Sequence, residues 1–370
     1  AMRTTPLIVV LAAAPAVVLS ACSSGSDPVD PNAPVAALVA ELHLQCDQAG
    51  VEAAVPAPPV SDALFALGQA LFFDPLLSGN SDVSCATCHL PAHATGDGRT
   101  LPNGVGGTGN GPARFGGAII PRNSPTVLNA HLWRTMFWDS RVERLPGGVL
   151  RTPAGDQLTP QMAAVFQPGL ELLAAQAMFP VTSREEMRGA PGDSELSDLD
   201  DEDFTGIWSA LMDRLLLIPA YVDLFTAAYP GTAAVDLSFA HAGNAIAGFE
   251  ARAFAHFDSP FNRFMQGDDA ALNGEQLRGG IEFFTDAGCA RCHTGPAFSD
   301  FQHHNVGLAQ FGPGKGDGAG GNDDFGREQV THQASDRYRF RTASLLNVEL
   351  TAPYGHVGQN GSLMSAVERY

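Results

Sequence analysis

Cys85-Ala86-Thr87-Cys88-His89 and Cys289-Ala290-Arg291-Cys292-His293 are two copies of one pattern, C-x-x-C-H, and the fold follows from how they are read. Two thiols this close, on one turn of chain, reach the two vinyl groups along one porphyrin edge and form thioethers. The residue that follows directs its imidazole at the iron. Paired cysteines can also be written into a Cys₄ zinc site, local disulfides or a thioredoxin-type redox turn. None of those needs a histidine directly after both pairs. The motifs therefore predict two covalently bound c-type haems, anchored by Cys85, Cys88, Cys289 and Cys292, with His89 and His293 as iron ligands.

Each motif has the same lead-in. One runs from Leu64 through Phe72 and Phe73 to Cys85, the other from Leu277 through Phe283 and Phe284 to Cys289, a long-period internal repeat. Ser61 and Asp62 can cap a helix with Leu64, Leu67 and Leu71 on its apolar face, stopped by Pro75. Ile207, Trp208, Leu211 and Leu215 predict a helix over 204–217; further helices are expected over 237–254 and 275–284. Alternating strand patterns are lacking, and 103–117, 194–203 and 312–324 read as loops. Helices joined by long irregular loops suit a chain that wraps a large prosthetic group. The expectation is a mainly α protein of two cytochrome c-like domains, 61–265 and 266–370.

The 370 residues carry 40 acidic and 21 basic side chains, a net charge of −19. Lys315 is the single lysine. Nucleic acid is excluded as a partner, because phosphate binding needs clustered cations. Arg3, the apolar run Leu7–Leu19 and Leu19-Ser20-Ala21-Cys22 read as a lipoprotein signal over 1–21, with Cys22 lipidated. The run is too short to span a bilayer. Ser23 favours the outer membrane, so the protein is expected on the periplasmic side, touching membrane only through its lipid. Residues 22–60 read as a tether with a short helix around 35–43, and Cys46 as a free buried thiol. Gly104-x-Gly106-x-x-Gly109 lacks a preceding strand and is a loop, not a dinucleotide fingerprint. The acidic run 195–203 reads as a solvated linker.

Pro121-Arg122-Asn123-Ser124-Pro125-Thr126, Phe137-Trp138-Asp139-Ser140-Arg141, Glu186-Met187 and Leu350-Thr351-Ala352-Pro353-Tyr354-Gly355-His356, ordered around the two motifs, resemble the bacterial di-haem cytochrome c peroxidases, the family that includes MauG. The resemblance covers most of 60–370. It implies a peroxidatic first haem, with Glu186 as the acid–base group, Gln176 as its companion and Trp138 as a relay between haems. Glu185 competes with Glu186, and Trp133 lies near Trp138. Where the family carries a detachable distal histidine this chain has Phe115, so the first haem is expected to be five-coordinate; His131 is the competing ligand, and His93 lies too close to His89. Asn123, Thr351 and Pro353 match a calcium site between the domains. The distal ligand of the second haem would follow His356 by fourteen residues, at Tyr370, with Met364 as competitor. A phenolate favours ferric iron where a thioether favours ferrous. His303 and His304 match a segment near the second haem and are expected to be structural hydrogen bonders.

The activity implied is reduction of hydrogen peroxide to water, with electrons from a small cytochrome c or cupredoxin relayed through the second haem. A MauG-like oxidation of a protein or small-molecule partner is one alternative, and a non-catalytic di-haem electron-transfer cytochrome is another. A homodimer is compatible with the resemblance.

Overall fold

The computed structural model describes residue 30 and residues 33–369. The signal segment, Cys22 and Tyr370 lie outside the described residues. Helix outweighs strand, 41% against 7%, as a mainly α reading requires.

Apolar faces set the helices. The α-helices are α1 (Val35–Gln48), α2 (Asp62–Phe73), α3 (Cys85–Cys88), α4 (Pro160–Ala163), α5 (Glu171–Ala177), α6 (Phe204–Leu216), α7 (Pro219–Ala228), α8 (Phe239–Ala253), α9 (Pro260–Met265), α10 (Gly274–Phe284), and the short α11 (Glu328–Thr331) and α12 (Leu363–Val367). Helix α2 begins as its sequence dictates, the Leu64 amide donating to Ser61 Oγ at 3.2 Å. Its neighbour is α8, a helix buried along almost its whole length. The two approach so closely at Gly68 that a Cβ there would lie 1.9 Å from the Ala245 carbonyl oxygen. Phe72, Phe249 and Phe254 interlock at this crossing, with centroids 5.1–5.4 Å apart. Helices α5, α6 and α7 complete this large cluster. The short helices α5 and α7 add to those the sequence predicts; α7 opens on Pro219, whose fixed φ suits a first helical position.

A second, smaller cluster corrects the tether. Leu38, Val39, Leu42 and Cys46 of α1 are buried against Phe264 and against Leu277 and Ile281 of α10. Helix α1 is longer than the sequence suggested, because its stability comes from this docking rather than from propensity. His43 stacks on Phe264 at 4.1 Å, and the Ala54 amide donates to Asn262 Oδ1 at 2.7 Å. Residues 35–60 are thus packed structure that links the two clusters. Cys46 is fully buried with its thiol pushed up to about 12, as expected of an inert packing residue.

Strands are confined to short pairings: β1 (Gly107–Thr108) with β2 (Phe115–Gly116), β3 (Thr135–Met136) with β4 (Val142–Arg144) and β5 (Leu150–Arg151), and β6 (His303–His304) with β7 (Phe340–Arg341). Among the described residues no helix is long and apolar enough to cross a membrane.

Candidate haem sites

The first motif is a single turn fixed from both ends. Ser84 caps α3, its amide donating to Thr87 Oγ1 at 3.0 Å, and Ser124 Oγ donates to the Cys88 carbonyl at 3.1 Å. His89 Nδ1 meets the Thr95 carbonyl at 3.1 Å. A carbonyl only accepts, so Nδ1 carries the proton and Nε2 keeps a lone pair for a metal. Thr95 sits at φ 58°, which aims that carbonyl back at the ring. The second motif repeats the device. His293 Nδ1 meets the Phe298 carbonyl at 3.0 Å, and Phe298 sits at φ 49°. Burial pushes both imidazoles toward the neutral form a ligand needs.

Cys85, Cys88 and His89 line one wall of a cavity of about 1180 Å³, open space at its mouth included. All four motif cysteines are free rather than paired, which removes the disulfide reading. Burial holds the Cys85 and Cys88 thiols up at about 12. The residues present fit a covalently attached macrocycle.

The same cavity gathers the residues the sequence singled out: Gln176, Glu186, Trp138 and Asn123 all line it. Glu186 stands on a π-helical turn, Arg184–Arg188, started by Ser183. Such turns are rare and cluster at functional sites. The glycine-rich loop braces it: the Val105 amide donates to the Glu185 carbonyl at 3.2 Å, and a Cβ on Gly104 would lie 1.8 Å from that oxygen. Burial raises the Glu186 carboxyl, opposed by the charges of Arg141, Lys315 and Arg122. Glu185, its competitor, is exposed and does not line the cavity. Among the described residues His89 is the one histidine in the lining. Phe115 is 68% exposed on β2, and His131 bonds the Val55 carbonyl at 3.0 Å.

Trp138 bridges the two motifs. Its indole Nε1 donates to the Asn123 carbonyl at 2.9 Å, and its own carbonyl accepts from the Arg341 amide at 2.8 Å. Arg341 pairs with His303 across β6 and β7, and Ser299 Oγ donates to the Thr342 carbonyl at 2.7 Å. A continuous bonded frame therefore runs from Cys88 through Ser124, Asn123 and Trp138 to the segment after His293. Buried charges lock it. Arg122 is bound by Asp139 and by Asp324, and Arg327 donates to Glu143 at 2.7 Å. His303 bonds Ser140 Oγ at 2.8 Å and His304 bonds Asp300 at 3.0 Å, the structural roles expected.

Of the three calcium residues, Asn123 lines the cavity and Thr351 and Pro353 do not. The Asn123 amide donates to the His356 carbonyl at 2.8 Å, which brings the two segments together. Its side-chain amide, however, donates to the Arg99 carbonyl at 2.8 Å, and Thr351 Oγ1 turns to the Val348 carbonyl at 3.1 Å. Among the described residues one group of His, Cys, Asp or Glu has the spacing for a metal ion, Cys292, Asp300 and His304. It belongs to the second motif.

Two lining residues escaped the sequence. Glu250 of α8 is 5% exposed, has a partnerless Oε2 and is pushed up to about 8 by burial. An acidic residue on the buried face of a small-residue helix was the available signal. Lys315 reaches the cavity from the 312–324 loop.

Fold and site together give a mainly helical chain with two C-x-x-C-H turns, the first of which lines a cavity that also carries the Glu186 carboxyl. Residues 62–270 match the di-haem cytochrome c peroxidase family, and the chain belongs to it. It is 34% identical to cytochrome c551 peroxidase of Pseudomonas aeruginosa, over 84% of this chain and 72% of that one. It is 32% identical to the methylamine utilization protein MauG of Methylorubrum extorquens, over 85% and 71%. Among solved structures it resembles a MauG-like protein associated with microbial copper homeostasis, with TM-score 0.58 and 27% identity over 85% of this chain and 79% of that one. The family implies two c-type haems.

Proposed function

We propose that the protein reduces hydrogen peroxide to water in the first cavity, H₂O₂ + 2H⁺ + 2e⁻ → 2H₂O, with electrons entering at the second motif. The observation that carries this reading is the convergence of His89, Gln176, Glu186 and Trp138 on one cavity that has no second histidine in its described lining. Bound haem supplies iron as the site of redox exchange. Glu186 takes the proton from one peroxide oxygen and returns it to the other, which is why a base must stand there. Gln176, on α5, orients the peroxide. Trp138 is the relay, supported by its place in the frame between the motifs. On this reading 61–265 is the peroxidatic domain and 266–370 the electron-transfer domain, with α1 joined to the latter. On the same reading Tyr370 would hold the second iron, Asn123 would help hold a calcium ion, and the protein would be exported and held by lipid at Cys22.

The test is steady-state peroxide consumption with a reduced small cytochrome c or cupredoxin as donor. Donor-dependent turnover is expected. A protein that consumes peroxide only in the presence of an oxidisable partner protein would instead be MauG-like, and one that consumes none would be a plain electron carrier.

A further inference from the structure

Three cations face the first cavity, and two are committed elsewhere. Arg122 is bound by Asp139 and Asp324. Arg141 donates to both Asp139 oxygens, at 3.2 and 3.3 Å, and lies 3.5 Å over the Phe137 ring. The third, Lys315, is the only lysine in the chain, and among the described residues its ammonium makes no hydrogen bond or ion pair. The backbone beneath it is nonetheless fixed. The Lys315 amide donates to the Asp323 carbonyl at 2.8 Å. Gln329 donates to the Lys315 carbonyl at 3.3 Å and accepts from Arg122 at 3.3 Å. A loop that follows the second motif is thereby fastened to the cavity of the first. Two carboxyl groups in the same lining, Glu186 and Glu250, are likewise without a partner among the described residues; Glu250 is held protonated up to about 8 by burial, which leaves Glu186 as the negative group facing Lys315.

We propose that Lys315 is a positioning residue for the peroxide reaction: its ammonium is the counter-charge that keeps Glu186 a carboxylate. The inference rests on Glu186 being the base. A protonated carboxyl cannot take up the peroxide's proton, and burial favours the protonated form. The groups acting on Glu186 are Arg141, Lys315, Glu185 and Arg122. Those acting on Lys315 are Arg141, Arg122, Glu186 and Asp139. Since Asp139 and Asp324 offset the arginines, Lys315 carries the uncancelled positive charge. During turnover the proton passes from one peroxide oxygen to Glu186 and on to the other; Lys315 keeps its own protons throughout.

A single lysine makes the pairing directly measurable in the holoprotein. Acetylation by an amine-specific reagent, followed by peptide mass spectrometry, reports Lys315 separately from the chain's amino terminus. Removing the negative charge in Glu186→Gln destabilises the ammonium, so Lys315 should acetylate about fivefold faster near neutral pH. Equal rates in the two proteins would overturn the pairing. In turnover, Lys315→Met should move the acid limb of the pH profile to higher pH, and Lys315→Arg should restore it. A uniform loss at every pH would assign Lys315 a structural role and overturn the proposal. Unchanged turnover in Glu186→Gln would remove the base itself, whereas equal acetylation with a slow Glu186→Gln enzyme removes only the lysine.

Discussion

The two haem turns share one device and differ in what surrounds it. Each histidine is held by a carbonyl from a residue in the left-handed region, five or six positions on. At the first turn Ala86 and Thr87 are buried, and the motif faces a cavity it shares with Glu186 and Gln176. At the second, Ala290 is half-buried and Arg291 exposed, and the turn leans on the small cluster that α1 completes. The histidine-holding device is therefore common to both turns, while the cavity with Glu186 and Gln176 borders the first. Such a division suits a small-molecule reaction at the first site and electron exchange with a partner protein at the second.

The largest expected effect breaks this comparison at its chemical end. Glu186→Gln should cut peroxide turnover by about 10²–10⁴-fold, the usual worth of a general acid–base group, with both haems still attached by absorbance and mass. Asp300→Asn, the matching lesion beside the second turn, should leave peroxide uptake at the first intact in a stopped-flow trace. Next comes the frame between the sites. Asp324→Ala leaves the buried Arg122 guanidinium with Asp139 as its one carboxylate partner and should cost about 1.5–3 kcal/mol in urea unfolding. A loss under about 1 kcal/mol would mean the frame is not what joins the two halves.

A smaller change should separate the sites. Leu42→Ala opens a void between α1 and α10 and should cost about 2–5 kcal/mol. It should perturb the spectrum of the second haem and leave the first unchanged; equal perturbation of both would contradict the docking of α1 on the second turn alone. The smallest effect concerns Glu250. Its pKa is raised from 4.5 to about 8 by burial, so the folded protein holds a proton that the unfolded chain releases. Its contribution is most favourable below pH 4.5 and is lost as pH rises toward 8. Glu250→Gln should therefore gain stability relative to the parent across that window, read as a difference in thermal midpoint that grows with pH.

Legibility followed range along the chain. The haem turns, the Ser61 cap and the apolar faces of α2, α6, α8 and α10 are local patterns, so their residues announce them. Helix α1 exists at its full length only because α10 receives it, and nothing within 35–48 says so. The π turn that presents Glu186 needs Gly104, some eighty positions earlier, pressed against Glu185. Lys315 reads as one charge in a glycine-rich loop until Asp323, Gln329 and Arg122 fix the loop over the first cavity. Glu186, Gln176 and Trp138 were found through family resemblance, not through local chemistry, since a lone carboxylate in a loop is ordinarily solvated. Their convergence on the cavity depends on contacts between segments far apart in sequence.

The most direct measurement is a stopped-flow reaction of the fully oxidised protein with hydrogen peroxide, without prior reduction. An open first site with no second histidine in its described lining predicts an immediate absorbance change at one high-spin haem, lost in Glu186→Gln. Two low-spin haems, with no reaction until an electron is supplied, would contradict the account.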